Sequence, residues 1–228
     1  MTETATDGVE PDVSFVVPAR NEADRLRGAL ASLAGLDTSY EYEMIVVDGD
    51  STDGTPAVAR EHGATVVDGS ATSIARARNQ GAKRARGEWL AFVDADTQVR
   101  STYLTELLGY AEANGLAAAS SYCRMTGPRR AKIVEATINY LFPRLERPIL
   151  PGFNVLVRAE AFEETGGFPD VPNEDTAFSR RLALEYPTGY CPQRLVENSG
   201  RRIDRLGLTG TLVYYLQLDL ERMRATRG

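Results

Sequence analysis

The chain has 228 residues, 43% of them hydrophobic and 25% charged, an ordinary globular composition that can bury a sizeable core. A formal net charge of −6 argues against a general nucleic-acid binder, and a single histidine, His62, excludes a histidine-based zinc site. Cys123 and Cys191 lie far apart and outside any CxxC pattern, so they read as free thiols of a reducing compartment.

Met1 to Pro11 is polar and acidic, which predicts a frayed tail and no secretory signal. Val13 to Val17 is a β-rich run stopped by Pro18, and it reads as a buried strand. Leu26, Leu30, Leu33 and Leu36 then recur at helical spacing. Met44 to Val47 is a second strand. Thr55-Pro56 supplies an N-cap and a first-turn proline for a helix that Gly63 closes, with His62 a solvated cation at its end. Thr65 to Val67 makes a short third strand, and Ser73 caps a helix running toward Gly87. Trp89 to Val93 is an apolar run of strand length. Ser101 starts a helix that Asn114-Gly115 stops. Strand and helix in alternation call for a parallel sheet covered on both faces.

The second half is less regular. Ala117 to Tyr122 reads as a strand broken by Gly127-Pro128, and Ile133 to Phe142 as a helix. Gly152 to Arg158 returns as a strand, and a short helix through Phe162 stops at Gly166-Gly167-Phe168. Asn173-Glu174-Asp175 opens a helix with its carboxylates at the positive N-terminal end. A last helix runs from about Leu208 to Met223, with Leu212, Leu216, Leu220 and Met223 on one face. No apolar run approaches the length of a membrane span. The expectation is a cytoplasmic protein, peripheral at most to the inner face of the cell membrane. The last helix, with Tyr214 and Tyr215, serves core docking, membrane contact or oligomer contact.

The chemistry gathers at strand ends. Asp94-Ala95-Asp96 terminates a buried strand, and two carboxylates there are costly without a positive partner. A hard divalent cation carrying a diphosphate is one solution, and an Asp-rich turn is the bland one. Pro18 to Glu22 and Asp48 to Asp53 belong to the same sheet edge, where open α/β folds place ligands. Glu174-Asp175 by itself reads as simple N-terminal capping of a helix. Arg201, Arg202 and Arg205 form either a clamp for phosphate or a solvated patch.

Taken in order, these motifs resemble the family-2 glycosyltransferases of the GT-A fold. The residues that carry the resemblance are Val16 to Glu22, Ser51 to Thr55, Ala77 to Gly81, Asp94-Ala95-Asp96, Gly166-Gly167-Phe168 and Glu174-Asp175. It implies an α/β, mostly parallel central sheet with helices on both faces, forming one nucleotide-diphospho-sugar transferase domain over residues 12–228. A donor half covers about 13–97, an acceptor half about 98–205 and a C-terminal helix about 206–225. Pro18, Ala19 and Glu22 are implied beside the nucleoside and Asp48 near the base. Gly49 stands where many members carry a second Asp, which leaves base selectivity open. Arg78 is implied near the donor, where a guanidinium suits phosphate.

The resemblance also implies Asp94 at the ribose, Asp96 on a Mn²⁺ or Mg²⁺ ion, and Gln98 beside that ion. Asp175 is the implied general base of an inverting transfer, with Glu174 orienting the loop or touching the acceptor. The acceptor is a sugar hydroxyl or a lipid-linked glycan or phosphate. The rivals are a sugar-1-phosphate nucleotidyltransferase, whose Gly-rich first loop is absent here, and a non-catalytic nucleotide-sugar binding protein.

Overall fold

The computed structural model describes residues 10–69 and 73–200. Its centre is an eight-stranded sheet in the order β3-β2-β1-β4-β7-β6-β8-β5. The strands are β1 (Val13–Ala19), β2 (Tyr42–Asp48), β3 (Thr65–Asp68), β4 (Trp89–Val93), β5 (Thr97–Val99), β6 (Ala118–Thr126), β7 (Asn154–Arg158) and β8 (Thr188–Ser199). β3, β2, β1 and β4 run parallel. β7 is antiparallel to both β4 and β6, and β8 pairs parallel with β6. The carboxyl ends of β1, β2, β3, β4, β6 and β8 therefore share one edge, and the start of β7 joins them.

Helices cover both faces because each presents one apolar stripe. On one face α1 (Ala23–Ala34), α2 (Thr55–Glu61) and α4 (Tyr103–Ala113) bury Leu26, Leu30, Leu33, Val58, Leu104 and Leu107. On the other, α3 (Ile74–Arg84), α6 (Ala159–Glu164) and α7 (Glu174–Glu185) pack a second core. That core is aromatic. Phe168 lies 4.9 Å from Phe92, edge to face, and 4.6 Å from Phe178.

Several sequence expectations are adjusted. β1 runs through Pro18 to Ala19, which is tolerable because its pairing with β4 ends at Val16. Gly54, not Thr55, is the N-cap of α2; the Thr55 hydroxyl serves the neighbouring loop instead. The helix expected over Ile133 to Phe142 is α5 (Ala131–Ala136) followed by a π turn (Thr137–Leu141) and a 3-10 turn (Phe142–Arg144). β5 and β8 are strands the sequence pattern did not announce. Both cysteines are buried free thiols, and burial pushes Cys123 up to about 12. Among the described residues no helix is long and apolar enough to cross a membrane. The expected helix from Leu208 to Met223 lies outside the described residues, as do Arg201, Arg202 and Arg205.

β6 is longer than its neighbour can serve, since β7 pairs only with Ala118 and Ala119. Side chains from the next helical segment complete the ladder. The Asn139 amide accepts from the Cys123 N–H and donates to the Cys123 carbonyl, both at 2.8 Å. Glu135 accepts from the Met125 N–H at 2.7 Å. A helix thus substitutes for the missing strand.

Candidate active site

The first two loops at the shared edge are laced together by side chains. Asn21, at φ 52°, donates its N–H to the Ser51 hydroxyl and accepts the Thr52 N–H on its side chain at 2.8 Å. Thr55 accepts from the Glu22 N–H, and Asp53 from the Ala23 N–H. The Ser51 to Thr55 motif therefore fixes the backbone of Asn21, Glu22 and Ala23, and with it the shape of the loop after Pro18 and Ala19. Asp48 ends β2 at only 6% exposure. Its Oδ2 accepts the Ser51 N–H at 3.1 Å, while its buried Oδ1 has no hydrogen-bond partner. A buried carboxylate oxygen without a donor is costly, and a ligand N–H would relieve it.

α3 explains the Ala77 to Gly81 motif residue by residue. The glycine at 81 permits close packing, because a Cβ there would sit 2.4 Å from the Val16 side chain. Gln80 donates to the Asp68 carbonyl. Asn79 grips the Phe168 backbone through both its amide atoms, at 2.8 and 2.9 Å, and so holds the Gly166-Gly167-Phe168 turn against α3. Both glycines of that turn have positive φ, 77° and 66°.

Arg78 is 2% exposed, with its guanidinium 5.2 Å from the Phe168 ring centre. One terminal nitrogen meets Asp94 at 2.8 Å and the other meets Glu174 at 2.6 Å. Burial alone would lower its pKa, but Asp94, Glu174 and Asp175 more than offset this and hold it above the usual arginine range. Both terminal nitrogens of Arg78 are engaged by carboxylates, while its buried Nε has no hydrogen-bond partner. Arg78 is thus no solvated helix charge. Glu174 is pushed up by burial and by the Asp175 carboxylate, with Arg78 pulling the other way.

Gly152, just before β7, makes this arrangement possible. A Cβ there would lie 2.5–2.7 Å from the Arg78 guanidinium. Its N–H donates to Asp175 Oδ2 at 3.1 Å, while Oδ1 accepts from the Thr176 N–H at 2.7 Å. Sequence reasoning missed Gly152; its signal was a Pro-Gly pair at the head of a strand.

Asp96 and Gln98 lie two residues apart, with buried Thr97 between them. They line one polar cleft of about 280 Å³ with Asp24, Arg25, Gly28, Thr126 and the end of β8. Among the described residues no three His, Cys, Asp or Glu side chains gather as a metal cage. One carboxylate beside an amide oxygen nevertheless suits Mg²⁺ or Mn²⁺, which take much of their shell from substrate phosphates and water. Of the expected residues, Pro18, Ala19, Glu22 and Asp48 share the first loops. Arg78, Asp94, Glu174 and Asp175 form one charged cluster, and Asp96 and Gln98 share the cleft.

A parallel half-sheet with acidic strand ends, joined through β7 to a helix that starts in two carboxylates, defines a fold of the GT-A type. The sequence profile of the family described as Glycosyl transferase family 2 matches residues 14–166, and the chain belongs to that family. The succinoglycan biosynthesis protein ExoO of Rhizobium meliloti is 34% identical over 171 residues, covering 70% of this chain and 47% of that protein. The glycosyltransferase AglE of Haloferax volcanii is 24% identical, covering 70% and 57%. The chain thus spans about half the length of these relatives. Among solved structures, the mannosyltransferase PcManGT of Pyrobaculum calidifontis, in complex with GDP-Man and Mn²⁺, superimposes with a TM-score of 0.74. It is 24% identical, over 96% of this chain and 65% of that one. Glucosyl-3-phosphoglycerate synthase of Mycobacterium tuberculosis, with Mn²⁺, UDP and glucosyl-3-phosphoglycerate, gives 0.63 at 21% identity, over 90% and 80%.

Proposed function

We propose that the protein transfers a sugar from a nucleoside diphosphate sugar to an acceptor, with inversion at the anomeric carbon and with help from a divalent cation. The acceptor is a sugar hydroxyl or a lipid-linked glycan or phosphate. One observation carries the reading: the buried Arg78 ties Asp94, at the end of β4, to Glu174, beside Asp175 at the head of α7. Groups suited to a donor and groups suited to an acceptor are thereby held against each other across a shared edge.

The partnerless Asp48 Oδ1 suits an N–H on the base, and the Pro18 to Glu22 loop suits the nucleoside. Asp94 approaches the ribose, while Asp96 and Gln98 would hold Mn²⁺ or Mg²⁺ together with the diphosphate. Such a cation offsets the charge that develops on the departing diphosphate. Asp175 takes the proton from the acceptor hydroxyl. Its two backbone N–H donors fix the carboxylate while leaving lone pairs for that proton. Glu174, engaged by Arg78, orients this end of α7. Arg201 and Arg202 follow the residues that line the Asp96 cleft, which supports a part in clamping the diphosphate or a phosphorylated acceptor.

Donor binding tests the reading. Titration with UDP- and GDP-sugars in Mn²⁺ should give affinity that chelator abolishes and that Asp96→Ala weakens at least tenfold, about 1.4 kcal/mol. Equal affinity in Mn²⁺ and chelator would refute the metal role. Tight donor binding with neither hydrolysis nor transfer would favour a non-catalytic binding protein.

A further inference from the structure

The helical segment from Arg129 to Arg147 has an inner face that completes the sheet and an outer face that the fold leaves uncovered. Ile133 is 51% exposed, Tyr140 46% and Leu141 54%. These are three of the five exposed large hydrophobic side chains among the described residues. Exposed Arg129, Arg130, Lys132, Arg144 and Arg147 accompany them. The acidic residues of the stretch are Glu135 and Glu146, and Glu135 is buried, taken up by Lys132 and the Met125 N–H. Five basic residues against two acidic ones stand out in a chain whose net charge is −6.

Both ends of the segment abut the site. Thr126, just before it, lines the cleft with Asp96. Gly152, just after it, donates to Asp175.

We propose that the outer face of residues 129–147 docks on an anionic lipid bilayer, apolar side chains entering the headgroup boundary and basic ones meeting lipid phosphates. Half-exposed aliphatic and tyrosine side chains beside exposed lysine and arginines in one short segment are the chemistry of interfacial binding to an anionic bilayer. A second copy of the chain fits less well, since a two-fold contact would bring like-charged arginines together. The chain's own C-terminal stretch, with Arg201, Arg202, Arg205, Arg222, Arg224 and Arg227, carries the same charge and would be drawn to the same anionic surface. Docked this way, the crevice edge faces the bilayer. Resting on the transfer reading above, this narrows the acceptor to a lipid-linked one.

The test is flotation of the full chain with vesicles of neutral phosphatidylcholine or of phosphatidylcholine containing phosphatidylglycerol. The protein should float with the anionic vesicles, and added salt should release it. The pairs Ile133→Glu/Leu141→Glu and Arg129→Glu/Arg147→Glu should each cut anionic-vesicle affinity at least tenfold. Thermal melting and nucleotide-sugar binding should be unchanged, since none of these side chains touches the site. Failure to bind anionic vesicles, or undiminished binding by both variant pairs, overturns the proposal. So does binding lost only on reversing Arg222 and Arg224, or a dimer that Ile133→Glu/Leu141→Glu dissociates without any vesicle binding. Vesicle binding is measured without any donor, so a failed transfer assay would leave its outcome standing.

Discussion

Arg78 and Glu174 stand 96 residues apart in the chain and 2.6 Å apart in the fold. The contact joins α3 to the head of α7, and the other arm of the same guanidinium reaches Asp94 at 2.8 Å. Removing the arginine would leave two partly exposed carboxylates, Asp94 and Glu174, facing one another with no cation between them. Arg78→Met should therefore cost up to about 3 kcal/mol in urea unfolding, the low end of the range for breaking a buried pair from one side, because water reaches the carboxylates left behind. Arg78→Lys keeps the charge but can satisfy only one partner well, so it should recover most of that stability and less of the turnover. Equal turnover for Arg78→Lys and the wild type would show that bidentate geometry is immaterial.

Gly152→Ala probes the same contact without touching a charge. Its new methyl would fall within 2.7 Å of the guanidinium, which two ion pairs hold in place. Turnover should fall more than donor affinity, because the Gly152 N–H also positions Asp175. Separate measurement of kcat and the donor dissociation constant checks this.

Asn139 stands in for a strand along β6. Asn139→Ala would orphan the buried Cys123 N–H and carbonyl, at about 1–3 kcal/mol for each group. Asn139→Asp keeps the acceptor, loses the donor and buries a charge, so it should be no milder. Urea denaturation of the two variants measures both effects.

Glu43 gives a pH dependence with a definite sign. Burial pushes its pKa up, but hydrogen bonds from Ser14 and Arg86 overcome this and hold it below the ordinary glutamate range. A carboxyl depressed in the folded state contributes stability above its unfolded pKa, and that contribution fades as pH falls through the folded one. Thermal melts should show Glu43→Gln least stable relative to the wild type near neutrality. The gap should narrow below about pH 4.

The N-terminal half was legible because its strands are short apolar runs and its turns carry Asn, Asp and Gly at the positions that need them. Val13, Ile45 and Leu90 announce buried strands, and Asn21 and Asp50 do adopt positive φ. β8 was not legible. Its sequence mixes Thr188, Gly189, Pro192 and Gln193 with few apolar residues, and it exists because β6 lies beside it, with register shifts around Tyr122. Local pattern carries no record of such a long-range partner. The residues of the charged cluster were legible by motif, but their geometry was not. An arginine on a helix reads as solvent-facing, and only the fold reveals that Glu174 arrives from the other half of the chain to bury it. The roles of Asn79 and Gly152 were hidden for the same reason, since each serves a backbone or side chain distant in sequence.

Packing tolerance at α3 is a further check. Gly81→Ala would drive a methyl to 2.4 Å from the Val16 side chain, inside a two-sided core. Overpacking of this kind costs typically about 1–3 kcal/mol. A melting temperature equal to the wild type's would mean that α3 can slide on β1 freely, and that Arg78 is less rigidly placed than its ion pairs require.

Asp175→Asn is the most direct measurement of the central claim. The asparagine keeps the size of the side chain and one acceptor oxygen for the Gly152 or the Thr176 N–H, loses the other contact because its amide nitrogen only donates, and can no longer take a proton. Turnover with a hydroxyl acceptor should fall by about 10²–10⁴-fold, the usual contribution of a positioned general base. The donor dissociation constant should stay within about twofold, a difference of less than about 0.5 kcal/mol. Turnover close to that of the wild type with such an acceptor would contradict the account.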